Sequence, residues 1–114
     1  MMKTIGVALL LLMLSFLYQE ELNFRVANKT KHTLTHIRVF GTNLQGELKP
    51  NEQSDYYQTI YNDFTEEAIL MVYVEGKNYG IYVPLSQRNN RVTYIIDSID
   101  TINRNILIRM QVDE

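Results

Sequence analysis

From Leu22 onward, apolar and polar side chains alternate with a period of two, the spacing that turns one face of a strand inward and the other to water. Leu22, Phe24 and Val26 alternate with Asn23, Arg25 and Ala27, and a polar turn over Asn28–Lys31 follows. Thr35, Ile37 and Val39 alternate with His36, Arg38 and Phe40, and Gly41 closes that strand. Gly46-Glu47-Leu48-Lys49-Pro50-Asn51-Glu52 reads as a turn-bearing connection. Pro50 presets φ there, and Asn51 suits the left-handed position of a type II turn. A strand over Tyr56–Tyr61 places Tyr57, Thr59 and Tyr61 on one face and Tyr56, Gln58 and Ile60 on the other. In the polar loop Asn62–Glu67, Asp63 and Glu66 have capping-box spacing, enough for one helical turn. Ala68–Val74 and Tyr79–Leu85 flank Glu75-Gly76-Lys77-Asn78 as the clearest hairpin of the chain. A polar loop over Ser86–Arg91 leads to a strand over Val92–Ile96. The loop Asp97–Asn105 extends part of that strand, and Ile106–Val112 is the last one.

About seven short strands with turn chemistry between them predict an all-β fold, an antiparallel immunoglobulin-like β-sandwich. A closed barrel is the alternative. Parallel α/β architectures are excluded by the lack of any crossover-helix pattern.

The first residues follow a different pattern. Lys3 precedes an apolar run from Ile5 to Leu17, and charge returns at Glu20 and Glu21. A short positive region before an apolar stretch is the layout of a secretory signal, and the run is shorter than the roughly 20 residues of a membrane-spanning helix. No small-x-small pair precedes a plausible cut. Leu14-Ser15-Phe16 sits where a bacterial lipoprotein carries the end of its lipobox, without the acylated cysteine. The expected organisation is a signal peptide or uncleaved signal anchor over 1–20, hydrophobic and able to associate with a membrane, then a β-sandwich domain over 22–114.

Composition narrows the chemistry. Eleven Lys and Arg stand against 13 Asp and Glu, and apart from Lys3 every charge follows the apolar run. A mixed, weakly acidic chain lacks the positive stripe that nucleic acid requires and the polybasic patch of a membrane-surface binder. The count of cysteines is 0, which excludes a disulfide scaffold, thiol catalysis and thiolate metal sites.

No candidate motif reaches a catalytic or metal-binding arrangement, and no cofactor is expected. His32 and His36 are four apart, but on a turn and a strand rather than a helix, so solvated histidines are the better reading. Asp97, Asp100 and Asn103 lack the central glycine and terminal glutamate of an EF-hand loop. Glu66 and Glu67, like Glu47 and Glu52, lie on loops and lack the separation in a cleft that acid–base work needs. Asn28-Lys29-Thr30 matches a glycosylation acceptor that matters only in a eukaryotic host. The tyrosines, eight in the chain, suit strands and also offer rigid contact area with a polar tip. Alternation puts Phe40, Tyr56 and Tyr82 away from the core, so these form the expected interaction surface.

Phe24-Arg25-Val26-Ala27-Asn28, the turn Leu48-Lys49-Pro50-Asn51-Glu52, the hairpin Val74-Glu75-Gly76-Lys77-Asn78-Tyr79 and Val92-Thr93-Tyr94-Ile95-Ile96 resemble small uncharacterised exported β-sandwich lipoproteins of Gram-negative bacteria. The resemblance implies an envelope location and no known activity. The missing lipidated cysteine departs from that group. The expectation is a non-enzymatic exported module that contacts an unknown protein partner, with carbohydrate or small-ligand binding by exposed tyrosines as the alternative.

Overall fold

The computed structural model describes residues 20–61, 68–84 and 91–113. Residues 1–19 of the export segment, the capping-box loop and most of the Ser86–Arg91 loop lie outside these residues, and Glu20, expected to end that segment, begins the first strand. Among the described residues the chain is all-β, with strands β1 (Glu20–Asn28), β2 (Thr35–Val39), β3 (Thr42–Asn43), β4 (Tyr57–Tyr61), β5 (Ile69–Val74), β6 (Lys77–Tyr82), β7 (Arg91–Asp100) and β8 (Asn105–Val112). They form two four-stranded sheets, in the orders β4-β1-β7-β8 and β3-β2-β5-β6.

The sheets share one core because the period-two residues of both turn inward. Phe24, Val26, Val92, Tyr94 and Ile96 from the first sheet meet Ile37, Val39, Leu70, Val72 and Val74 from the second. Each fully buried aliphatic or aromatic side chain contributes about 1.5–3 kcal/mol relative to exposure. The centre is aromatic: Phe24 lies 5.8 Å from Phe40 and 6.5 Å from Tyr94, ring centre to ring centre. Tyr94 donates its hydroxyl to the carbonyl of Pro84 at 2.9 Å, and burial pushes that hydroxyl's pKa up.

The expected alternation is observed over residues 22–26 in β1 and 57–59 in β4, and the turn at Pro50 forms as predicted. Glu52 N–H bonds the carbonyl of Lys49 at 3.0 Å, and Asn51 takes φ 69°. The hairpin between β5 and β6 is tighter than expected. Its turn is Glu75-Gly76, with φ 49° and 82°, the two positive values of a type I′ turn, which matches the twist of the flanking strands.

Three expectations are corrected. The first sheet is mixed, since β1 pairs β7 in parallel while β4 and β8 pair antiparallel. The intervening chain passes through the second sheet before β7 returns, so no tight turn constrains its direction. The parallel register sets Phe24 beside Val92 and Val26 beside Tyr94, all facing the core.

The second correction concerns Phe40, which is 1% exposed rather than on the surface. Phe40 and Gly41 form a two-residue turn with φ 52° and 76°, joining β2 to the short strand β3. Strand alternation ends at Val39, and the turn carries the ring between Phe24 and Tyr94.

The third concerns Thr35. A bulge between Thr35 and Arg38 shifts the register against β5, with His36 at φ 48°. Ile37 and Val39 stay inward while Thr35 moves to the outer face opposite Tyr73.

Candidate functional site

The unfinished part of this sandwich is β8. It pairs only β7 among the described strands and forms one edge of its sheet. Asp113 N–H bonds the carbonyl of Arg91 at 2.7 Å, which makes this opposing pair a hydrogen-bonded one. Antiparallel alternation then directs the backbone groups of Arg109 and Gln111 toward β7 and those of Ile106, Ile108, Met110 and Val112 toward the open edge. The same four residues turn their side chains to the core side. Ile106, Ile108 and Met110 are only half-buried there, and Val112 is 46% exposed. On the outer face Leu107 is 61% exposed. Apolar side chains and unpaired backbone groups therefore lie along one line.

Natural edges are usually blunted by shortness, lysine, proline or inward charge. β3 spans two residues and β4 five. β6 carries Lys77, and the Arg104 guanidinium donates to the Asn78 carbonyl at 3.1 Å. β8 has neither lysine nor proline. Its one charge, Arg109, is matched on the same sheet face by Asp97, with Nε 2.9 Å from the carboxylate.

A polar cluster fixes the end of β8 to its sheet. Arg25 and Thr93 are opposed in the β1–β7 register, and Arg25 Nε donates to Thr93 Oγ1 at 2.9 Å. The Asp113 carboxylate accepts from Tyr56 Oη at 2.8 Å and from Gln111 Nε2 at 3.0 Å, and it also accepts from Thr93 Oγ1. The guanidinium groups of Arg25 and Arg91 lie 4.7 and 5.2 Å from the Tyr56 ring centre, a cation–π geometry. The Asp113 side chain is 9% exposed. Burial alone pushes its pKa up, but the Thr93, Tyr56 and Gln111 hydrogen bonds and the Arg25 charge outweigh that and hold it below the ordinary value.

The three residues expected to share a surface are not brought together. Phe40 is in the core. Tyr56 is half-buried in the Asp113 cluster, on the outer face of the first sheet. Tyr82 is 71% exposed on the outer face of the second, beside Ile69 and near Met71. Of the three, Tyr82 alone lies on an exposed apolar face, with Met71 nearby.

Of the remaining candidates, Glu66 and Glu67 lie outside the described residues, and His32, His36, Asp97, Asp100, Asn103 and Glu52 have local partners. His32 Nδ1 lies 3.3 Å from the Glu75 carboxylate, whereas the His36 ring packs edge-on against Tyr73 at 5.5 Å. These histidines do not converge, and no group of three or more His, Cys, Asp or Glu fit to hold a metal occurs among the described residues. Asp100 caps its own turn by accepting from the Ile102 and Asn103 amides. Glu52 accepts from Lys49 N–H at 2.7 Å. An open cleft of about 540 Å³ is lined by Lys31, His32, Glu75, Asp100 and Ile102 among others, and its His32, Glu75 and Asp100 are engaged as just described.

Asn28, the residue of the glycosylation-like triplet, is 0% exposed. Its Nδ2 donates to the carbonyls of His32 and Leu48 at 2.7 and 3.0 Å, and its Oδ1 accepts from Thr30 N–H and Oγ1. The triplet ties the β1–β2 loop to the Pro50 turn.

Comparison with known proteins finds no matching family model, no matching curated protein and no matching solved structure.

Proposed function

We propose that this chain is a non-enzymatic exported module of the cell envelope that works by protein–protein contact, with β8 as its contact edge. The observation that carries this reading is the coincidence, on one strand, of outward backbone groups with half-covered Ile106, Ile108 and Met110. A strand added there satisfies the backbone and covers the apolar side chains together, which is how sheet edges take partners. Export rests on Lys3 and the Ile5–Leu17 run. Among the described residues no helix is long and apolar enough to cross a membrane. The finer fold reading is immunoglobulin-like, supported by the way β1, β4, β7 and β8 alternate along the chain with the strands of the other sheet.

Photo-crosslinking of the full-length chain in its host tests the contact. A photoreactive residue at Leu107 is expected to give a discrete protein adduct, and one at Arg38, on the outer face of the other sheet, none. Adducts from Arg38 and not from Leu107 overturn the reading. Cell fractionation tests export, which a soluble cytosolic chain with residues 1–20 intact contradicts.

A second reading, carbohydrate or small-ligand binding, is favoured by the Tyr82 face. Tyr82 at 71% and Met71 at 40% exposure flank the side-chain-free Gly80, which leaves a flat surface for a sugar ring. With no tryptophan in the chain, tyrosine fluorescence reports directly on titration. A response abolished by Tyr82→Ala supports this reading, and a glycan array without signal ends it.

A further inference from the structure

We propose that the strand β8 receives is β8 of a second copy of this chain, paired antiparallel about a two-fold axis at Ile108; this rests on the reading of β8 as the contact edge. A two-fold pairing keeps opposed side chains on one face only when residue numbers of matching parity face each other. Two registers then overlap β8 most fully, one centred on Ile108 and one on Arg109.

Chemistry separates them. Centring on Arg109 sets the two arginines directly opposite, and like charges so placed repel. Centring on Ile108 opposes Ile108 to its copy, Ile106 to Met110, Asn105 to Gln111 and Leu107 to Arg109. The pairs Ile108–Ile108 and Ile106–Met110 are then apolar, Val112 faces the turn residue Arg104, and no like charges are opposed. Each Arg109 keeps Asp97 as its counter-charge on its own copy.

Backbone geometry permits either centre, and the repulsion of opposed arginines decides for Ile108. Ile106, Ile108 and Met110 direct N–H and C=O outward, so Ile108 bonds its own counterpart and Ile106 bonds Met110 in alternating hydrogen-bonded pairs. The two β4-β1-β7-β8 sheets become one continuous sheet across the axis. The half-covered core-side residues of each copy then cover those of the other. The contact is isologous, so it closes at two copies rather than growing into a fibre.

The chain has 0 cysteines, so introduced thiols report the register without background. Leu107 and Arg109 of opposing copies form a non-hydrogen-bonded pair with Cα atoms about 4.5 Å apart, within the range a disulfide spans. Full-length Leu107→Cys and Arg109→Cys proteins, extracted in mild detergent, are oxidised with copper phenanthroline separately and after mixing. The expected result is a covalent dimer in the mixture at least tenfold above either protein alone. Adding Ile108→Lys to both chains is expected to abolish it. Self-crosslinking by Arg109→Cys at or above the level of the mixture overturns the Ile108 register. No dimer in any sample, while Leu107 still photo-crosslinks a different protein, overturns the second-copy inference and leaves β8 as the contact edge. No dimer and no adduct overturn both. Thermal melts close to wild type show that the cysteine substitutions at the exposed Leu107 and Arg109, and Ile108→Lys at its half-buried position, leave the domain folded.

Discussion

Ile96 on β7 and Ile108 on β8 face each other across one ladder, yet their surroundings differ sharply. Ile96 is 0% exposed, with β1 on its other side and the second sheet above it, whereas Ile108 is half-buried with an open edge beside it. On β7 even the outward Thr93 and Ile95 are buried, at 3% and 5% exposure. Identical side chains in adjacent strands thus mark a finished and an unfinished part of the same sheet. Burial of β7 explains how the domain holds together. The incomplete cover on β8 is what a partner strand completes.

The largest effect expected from breaking this contrast is at Ile96. Ile96→Ala removes fully enclosed methyl groups and is expected to cost about 2–5 kcal/mol, and Ile108→Ala about half as much or less; urea denaturation of both variants measures the difference. Equal costs would mean that β8 is as enclosed as β7.

Next comes the cluster that pins the end of β8. The folded-state pKa of Asp113 is depressed, so its contribution is fully present above the unfolded value of about 3.9 and is lost as pH falls through the folded value. Stability is therefore expected to drop with acid below about pH 4. Asp113→Asn is expected to lower the denaturation midpoint at neutral pH and to reduce that acid dependence. Asp100, also depressed by its Asn103 and Ile102 hydrogen bonds, supplies a dependence of the same sign that remains in the variant.

A smaller effect of opposite sign is expected at Tyr79, whose hydroxyl is buried without a hydrogen-bond partner among the described residues. Tyr79→Phe removes that desolvated group and is expected to stabilise by up to about 1 kcal/mol. The smallest is at Leu107. Leu107→Lys is expected to change stability by less than about 0.5 kcal/mol while weakening association, because an edge lysine opposes strand addition. A melt and a sedimentation run on the same sample separate the two effects.

Much of the fold was readable from the periodicity of the chain. Leu22, Phe24 and Val26 point inward as their spacing implies, and Asn51 takes the left-handed conformation that follows Pro50. Failures occur where a local backbone feature interrupts alternation. The bulge at His36 and the turn at Phe40-Gly41 reverse the faces of Thr35 and Phe40, and the residues of the bulge do not depart from a strand in composition. Phe40-Gly41 did carry a cue, since glycine readily supplies positive φ. Strand pairing was less readable. Nothing in Phe24-Arg25-Val26 shows that β7 lies beside it in parallel, because that contact depends on how a distant segment returns.

The surface followed the same division. Tyr82 is exposed as its spacing implies, but the Tyr56 hydroxyl is taken up by Asp113, far along the chain. The significance of β8 could not be read from Ile106 to Val112 either, since a central and an edge strand have similar sequences. Only the sheet order distinguishes them.

Amide hydrogen exchange of the full-length chain, followed residue by residue in dilute and concentrated samples, tests the role of β8 most directly. The amides of Ile106, Ile108 and Met110 are expected to exchange freely when dilute and to become protected when concentrated, while those of Leu107, Arg109 and Gln111 stay protected in both. Protection of Ile106, Ile108 and Met110 in the dilute sample would show that the chain covers its own edge, and would contradict the account.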